Sequence, residues 1–418
     1  MARERPDVVF VQQGVPRVYE IVNAIIKSGY SCRFIAGYYY RENGWLERLL
    51  RCLPGRRAKN TIATLKRRHL SVLPADIVEQ SWMLEVLLVI ERVFSFILPH
   101  FAITRQRYLD IRGAIRVLMI RPRIVISSES HALYTLRAAK RVGAVAVLDQ
   151  VIGQVDYGNR LLTEEQALHP EMRSTFRANP ASLIRRCIKE VREAEYILVP
   201  SDYVRDSVLP FGADPDRIFM LPYGVDLTMF TPSASKPGPP FKILFAGHIG
   251  IRKGVYYLLE AVRKAAIPDI QVVLLGKIEG DGKWLEKYQD LFVHRRHLPH
   301  QEIPAVFSDA DIYVFPSLHE GSTVSIYEAM ASGLPVVTTP NAGSVVRDGT
   351  DGFIVPIRDI DALCDRIKRL YQDTALRESM GQSAAVHANQ YSWDAYSQRI
   401  GKILGTLLTN SDNDGGNP

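Results

Sequence analysis

The stretch Lys242-Ile243-Leu244-Phe245-Ala246-Gly247-His248-Ile249-Gly250-Ile251-Arg252-Lys253-Gly254-Val255-Tyr256-Tyr257-Leu258-Leu259-Glu260-Ala261 decides how this chain folds. An apolar run ends at Ala246, a loop with three glycines and two adjacent cations follows, and an amphipathic helical pattern begins near Gly254. A strand buried on both faces reads as a continuous apolar run, and the helix after it covers one face of the sheet. Comparable runs recur at 7–11, 124–127, 144–148 and 197–200, and again at 271–275, 312–315, 335–338 and 353–355, with helical patterns between them. This alternation predicts an α/β protein with parallel sheets. Thr231-Pro232-Ser233-Ala234-Ser235-Lys236-Pro237-Gly238-Pro239-Pro240 interrupts it with linker chemistry and divides the chain in two. Two doubly wound domains, residues 1–230 and 241–391, would face each other across a cleft at the carboxyl ends of their strands.

Composition narrows the function. The 418 residues exceed one ordinary core, and an apolar content of 47% suffices for two. Cys32, Cys52, Cys187 and Cys364 lie far apart, which fits a reducing compartment and offers no zinc spacing. The cytoplasm is therefore the expected location. The most apolar segment, 82–104, carries Glu85, Glu91 and Arg92 and reads as a buried helix, not a membrane span. The net charge of +7 is concentrated between Arg41 and Arg68, where nine Arg/Lys oppose two Glu. Interleaved with Trp45, Leu46, Leu49, Leu50 and Leu53, that segment suits the anionic inner face of a membrane. A solvated helix face or loop is the other reading. Nucleic acid fits less well, since no binding motif accompanies the charge. The last residues, 409–418, lack apolar side chains and are expected to be disordered.

The glycine loop is neither a Walker loop nor a Gly-x-Gly-x-x-Gly fingerprint. Its glycines would still let backbone N–H groups approach phosphate at a helix N-terminus, beside Arg252 and Lys253. A second loop-to-helix junction follows the run 312–315. There Glu320 and Glu328 flank Gly321-Ser322-Thr323-Val324, and a helix is expected over 325–331. A carboxylate at 328 could accept two hydrogen bonds from the vicinal hydroxyls of a ribose. A glycosidase acid–base pair fits poorly: eight residues rise up to about 12 Å along a helix, against roughly 5–9.5 Å between glycosidase carboxyls.

Glu320 and Glu328, followed by Ala329-Met330-Ala331-Ser332-Gly333-Leu334-Pro335, resemble the donor-site signature of retaining family-4 glycosyltransferases of the GT-B fold. Lys253-Gly254 with Leu258-Leu259-Glu260-Ala261, then Leu221-Pro222-Tyr223-Gly224-Val225-Asp226, Arg347-Asp348-Gly349, and Tyr391-Ser392-Trp393 resemble further family segments in the right order. The resemblance covers about 190–405 well and the first 190 residues loosely. It implies two Rossmann-like domains, an acceptor-binding domain over 1–230 and a donor-binding domain over 241–391. A crossover helix over 392–408 would return to the first domain.

By the same resemblance, Arg252 and Lys253 would neutralise a diphosphate, Glu320 would bind the transferred sugar, and Glu328 the ribose. Backbone groups of Thr323, Val324 and Ser325, together with Gly247, His248 and Gly14, would complete the nucleotide-sugar site. His131 would lie near the sugar, and Asp149 is a candidate contact for the acceptor. The family usually carries arginine where this chain has His248, so Arg252 is expected to supply that charge. A family glycine is replaced by Thr323, whose backbone must hold φ below zero or accept strain. The implied activity is metal-independent transfer of a sugar, with retention, from a nucleoside diphosphate donor to a glycan or lipid-linked acceptor hydroxyl in cell-envelope polysaccharide or glycolipid synthesis, with no cofactor. An epimerase of the same fold, or a non-catalytic binding protein at a membrane surface, are the rival readings.

Overall fold

The structure, a computed structural model, describes residues 5–14, 16–37, 48, 51, 73, 74, 76–81, 83, 84, 101–233, 238–296 and 298–414. Most of the basic segment 41–68 and of the apolar segment 82–104 lies outside these residues. Seven strands form the first sheet: β1 (Val8–Gln12), β2 (Cys32–Ala36), β3 (Val78–Glu79), β4 (Ile124–Ser128), β5 (Val145–Asp149), β6 (Tyr196–Val199) and β7 (Ile218–Met220). Six form the second: β8 (Phe241–Ala246), β9 (Ile270–Leu275), β10 (Phe292–Arg295), β11 (Ile312–Phe315), β12 (Val336–Thr338) and β13 (Gly352–Ile354). Both are parallel, in the orders 3-2-1-4-5-6-7 and 10-9-8-11-12-13. Strand order therefore reverses between β1 and β4 and again between β8 and β11, and crevices for ligands open at such points.

The helices are α1 (Pro16–Lys27), α2 (Phe101–Ile120), α3 (Leu133–Arg141), α4 (Val155–Leu168), α5 (Ala181–Glu193), α6 (Asp202–Val208), α7 (Val255–Ala265), α8 (Ile303–Ser308), α9 (Val324–Ala331), α10 (Ile360–Gln372), α11 (Thr374–Ala388) and α12 (Trp393–Asp414). The pleat of β1 divides its side chains between two cores. Val8 and Phe10 face the core shared with α1 and α12, while Val9 and Val11 face the one shared with α2 and α3. Tyr396, Ile400, Leu404 and Leu407 carry α12 back onto the first sheet, and the Ser397 hydroxyl donates to the Ala24 carbonyl at 2.8 Å.

Helix α12 corrects one expectation. It continues through Asp414, so residues 409–414 are helical and do not belong to a disordered tail. Leu407 and Leu408 anchor the preceding turn. The Asn410 amide then reaches the Tyr196 hydroxyl at 3.4 Å, so a polar turn rides on an apolar anchor. Strands β2, β3, β7 and β10 escaped the search for continuous apolar runs. Arg33 interrupts β2, and the edge strand β10 alternates half-buried Phe292 and His294 with exposed Val293 and Arg295.

The chain also crosses between domains where its sequence shows no break. Leu161 and Leu162 of α4, and Met172 just beyond it, are buried in the core of the second domain. Each contributes about 1.5–3 kcal/mol by leaving water. Glu165 on the same helix is fully buried; it accepts from the Tyr257 hydroxyl and, at 2.6 Å, from Arg358 Nε. Arg358→Ala is expected to lower stability by about 2 kcal/mol, because a buried carboxylate loses its cation and keeps one hydroxyl partner. Urea unfolding checks this, and an unchanged midpoint and slope would refute it.

Candidate active site

The loop after β8 is built by close approach. Gly254 has φ +67°, and a Cβ there would run into the Pro316 carbonyl oxygen. Only glycine lets α7 start this near the end of β11. The two loops are then tied together: Leu318 N–H donates to the Arg252 carbonyl at 2.9 Å, and so does the Ser317 hydroxyl at 3.1 Å. Arg252 and Lys253 are thereby held against the loop after β11.

Glu320 receives both cations. Its carboxylate pairs with Arg252 Nη1 and with Lys253 Nζ, while Arg252 also donates to the His319 carbonyl at 3.1 Å. Lys253 is 8% exposed and Glu320 9%. The Lys253 ammonium lies 4.9 Å from the centre of the Phe315 ring, a cation–π position. Burial pulls Lys253 down to about 8, against the attraction of Glu320. Burial alone would raise Glu320, but Lys253 and Arg252 outweigh it and hold the carboxyl below its ordinary value. The cluster is ionised at neutral pH, and it brings together three of the residues read from the sequence.

Glu328 stands apart from it on the second turn of α9. It is half-buried, its carboxylate has no hydrogen-bond partner among the described residues, and desolvation pushes that carboxyl up to about 7. Tyr313 lies in the field of both glutamates. Its hydroxyl meets Ser325 Oγ at 2.6 Å and donates to the Ala246 carbonyl at 3.2 Å. Ser325 Oγ also donates to that carbonyl, so its side chain is turned into the fold, fastening α9 to the end of β8. Thr323 takes φ −89°, so replacing the expected glycine introduces no left-handed backbone; its hydroxyl is buried without a partner. Thr323 and Val324 begin α9, whose first N–H groups carry partial positive charge. Gly247 holds φ +157°, and His248 beside it is exposed and hydrogen-bonded through Nδ1 to Glu279 at 3.0 Å.

The first domain closes on this loop. Gly153 N–H donates to the Glu320 carbonyl at 3.0 Å, and Ser201 Oγ donates to the Gly321 carbonyl. His319 Nδ1 meets the Tyr203 hydroxyl at 2.6 Å, and burial lowers that imidazole to about 4, so it is neutral. The Ile251 amide donates to Thr175 Oγ1 at 3.1 Å. These first-domain partners have no local sequence signal, since each acts from over 70 residues away; His319 alone adjoins a residue picked out by pattern.

Three first-domain candidates make no hydrogen bond or ion pair with this cluster among the described residues. His131 does not touch the Arg252–Lys253–Glu320 cluster. Its ring is buried near Arg186 and Arg105, it is pushed down to about 3 by burial and those charges, and its Nε2 is without a partner. Glu190, accepting from the amides of Ser130, Ala132 and Leu133, holds the loop that carries it. Asp149 is buried, raised by desolvation, and accepts from Ser128 Oγ at 2.8 Å. Gly14 has φ +80°, and its amide donates to Gln12 Oε1 at 2.9 Å.

Two doubly wound domains meeting at the carboxyl ends of their sheets, with cations and acids at the second switch point, define a GT-B protein. Residues 240–373, within the second domain, match the model of the family glycosyl transferases group 1. A D-inositol 3-phosphate glycosyltransferase of Paenarthrobacter aurescens is 35% identical over 205 residues, covering 44% of this chain and 50% of that protein. The putative colanic acid biosynthesis glycosyltransferase WcaL of Salmonella typhimurium is 29% identical, covering 52% and 58%. The chain spans about half the length of the curated relatives it matches. Anabaena Alr3699/HepE, solved in complex with UDP and glucose, superposes with a TM-score of 0.62 at 14% identity, covering 96% of this chain and all of that one. The sucrose-phosphate synthase of Thermosynechococcus elongatus superposes with a TM-score of 0.67 at 16% identity, over 97% of this chain and all of the other.

Proposed function

We propose that this protein is a cytoplasmic retaining glycosyltransferase, moving a sugar from a nucleoside diphosphate to a hydroxyl of a glycan or lipid-linked acceptor in cell-envelope polysaccharide or glycolipid synthesis. The observation that carries the reading is the Arg252–Lys253–Glu320 cluster at the β8/β11 switch point, with the Glu328 carboxylate, unpaired among the described residues, on the adjoining helix. In this reading Arg252 and Lys253 hold the diphosphate and Glu320 turns to hydroxyls of the sugar. Glu328 takes the ribose hydroxyls, and the amides of Thr323 and Val324 face the donor. Gly247, the backbone at Ser325 and the loop at Gly14 border the donor. His248, engaged with Glu279, leaves the diphosphate to Arg252 and Lys253. In this reading His131, neutral and with its Nε2 unpaired among the described residues, accepts a hydrogen bond from a sugar hydroxyl.

The chemistry balances without a protein nucleophile. The bond from the anomeric carbon to the phosphate oxygen breaks, the acceptor oxygen bonds to that carbon on the same face, and its proton passes to the departing phosphate. Nucleoside diphosphate and glycoside result. Cations and the N-terminus of α9 stabilise the charge that develops on the leaving group. Water is excluded by the contacts from Gly153, Ser201 and Tyr203. A thermal-shift screen against UDP-, GDP-, ADP- and CDP-sugars tests the reading: one base is expected to stabilise the fold. No response to any of them would overturn it, and isomerisation of a donor supplied alone would favour the epimerase.

Glu328 sets a pH dependence. Its folded value of about 7 lies above the ordinary carboxyl, so the folded state loses stability relative to the unfolded chain as pH rises from the ordinary value through about 7. Ribose hydroxyls donate to the carboxylate, so nucleotide binding favours the ionised form. Nucleotide affinity is expected to rise about fivefold on passing from one pH unit below that value up to it, a range in which Lys253, at about 8, stays mostly charged. Glu328→Gln should flatten the profile; a slope retained in that variant, followed by calorimetry, would contradict the role.

A further inference from the structure

Helix α2 carries a surface that the cleft does not use. Its inward side packs Leu109, Gly113 and Val117 toward the first sheet and buries Asp110, which accepts from the amides of Tyr134 and Thr135. Its outward side follows helical spacing through Arg107, Ile111, Ile115, Leu118 and Met119. Ile111 is 48% exposed, Ile115 53%, Leu118 40% and Met119 68%. From these fractions the four side chains leave an apolar strip on the order of 400 Å² in water, the size at which such patches mark interaction sites.

Charge indicates what covers it. Helix α2 has four arginines and a single acid, Asp110, which is fully buried. Arg112 and Arg116 lean toward the β3 edge, onto the Gln80 carbonyl and Glu79. Arg107 at one end of the strip is exposed and makes no ion pair with a described residue, and Arg121 is exposed just past the other end. An apolar strip bracketed by arginines and without an exposed acid complements an anionic lipid surface. A second copy of this chain would set those arginines against each other and bury about half the ~800 Å² per partner of a stable interface.

We propose that the outward face of α2, centred on Ile115 and Met119, docks this protein on anionic lipid bilayers as a peripheral protein. The proposal uses no residue of the basic segment 41–68 and does not depend on the glycosyltransferase reading. Among the described residues no helix is long and apolar enough to cross a membrane, so the contact would be interfacial.

Flotation of the full chain with vesicles of phosphatidylcholine, and of an equal mixture of phosphatidylcholine and phosphatidylglycerol, tests the proposal. Wild type should float with the anionic vesicles and at least about tenfold less with the neutral ones. I115D/M119D should lose about tenfold or more of that binding, with its melting temperature and its response to the nucleotide-sugar panel unchanged. Arg107→Glu, a surface change that leaves the apolar strip intact, should weaken it about tenfold on anionic vesicles only. Absence of flotation would overturn the proposal. So would binding untouched by both variants, which would place attachment on another segment, or a dimer in solution that I115D/M119D dissociates.

Discussion

Lys253→Ala is expected to lower the turnover of sugar transfer by about 10²–10³-fold, the effect of removing one preorganised charge that faces a developing anion. Three observations support so large a loss. The ammonium is nearly buried, so its field is little screened. It is held over the Phe315 ring, so it needs little reorganisation when the leaving phosphate charges up. Arg252 is more exposed, with 26% of its side chain in water, and cannot compensate fully. Lys253→Arg should rescue poorly, since a planar guanidinium must fit where a compact ammonium is nearly enclosed. Steady-state kinetics with the donor found in the thermal-shift screen provides the measurement. A variant within tenfold of wild type, with an unchanged melting temperature, would remove Lys253 from the mechanism.

Glu320→Gln should separate binding from transfer. In the ligand-free protein the Glu320 carboxylate neutralises Arg252 and Lys253, the position a diphosphate would otherwise fill. A donor must therefore exchange carboxylate for phosphate at the two cations, which releases Glu320 toward the sugar. Without that negative charge, nucleoside diphosphate is expected to bind about tenfold more tightly, the worth of one charge-assisted contact. Transfer should fall about 10²-fold, because the sugar loses its carboxylate partner. The sign depends on Lys253 remaining protonated. Its value is about 8 with Glu320 ionised, and removing that anion lowers it further, so the comparison belongs below neutral pH. Calorimetry with nucleoside diphosphate on both proteins decides. Weaker binding by the variant would show that the carboxylate supports the cation pair and does not compete with phosphate for it.

Some of the site was legible because its determinants are local. Gly247, Gly250 and Gly254 with two adjacent cations announce a loop that approaches an anion, and a continuous apolar run before it announces a buried strand. Chemistry left Thr323 either φ below zero or a strained backbone, and the structure takes the first. Less was legible where partners are distant. His319 was in view beside Glu320, yet its proton state follows from burial against Tyr203 of α6 and Gly158 of α4, which folding brings there. Gly321 looks like an ordinary loop glycine until the first domain is placed. A Cβ there would strike the Val151 carbonyl oxygen, so the residue is small because two domains meet at that point.

The sequence by itself determined the α/β class, the break near residues 231–240 and the two loops that supply cations and acids, because strand burial, proline chemistry and glycine freedom act within a few residues. The folded chain alone shows that Glu320 is the counter-ion of Arg252 and Lys253, that the Glu328 carboxylate has no partner among the described residues, and that α4 packs into the second domain's core. An amphipathic pattern such as that around Leu161 and Leu162 demands burial but is indifferent to which core supplies it. Likewise a carboxyl's proton affinity depends on the charges and solvent that folding places around it.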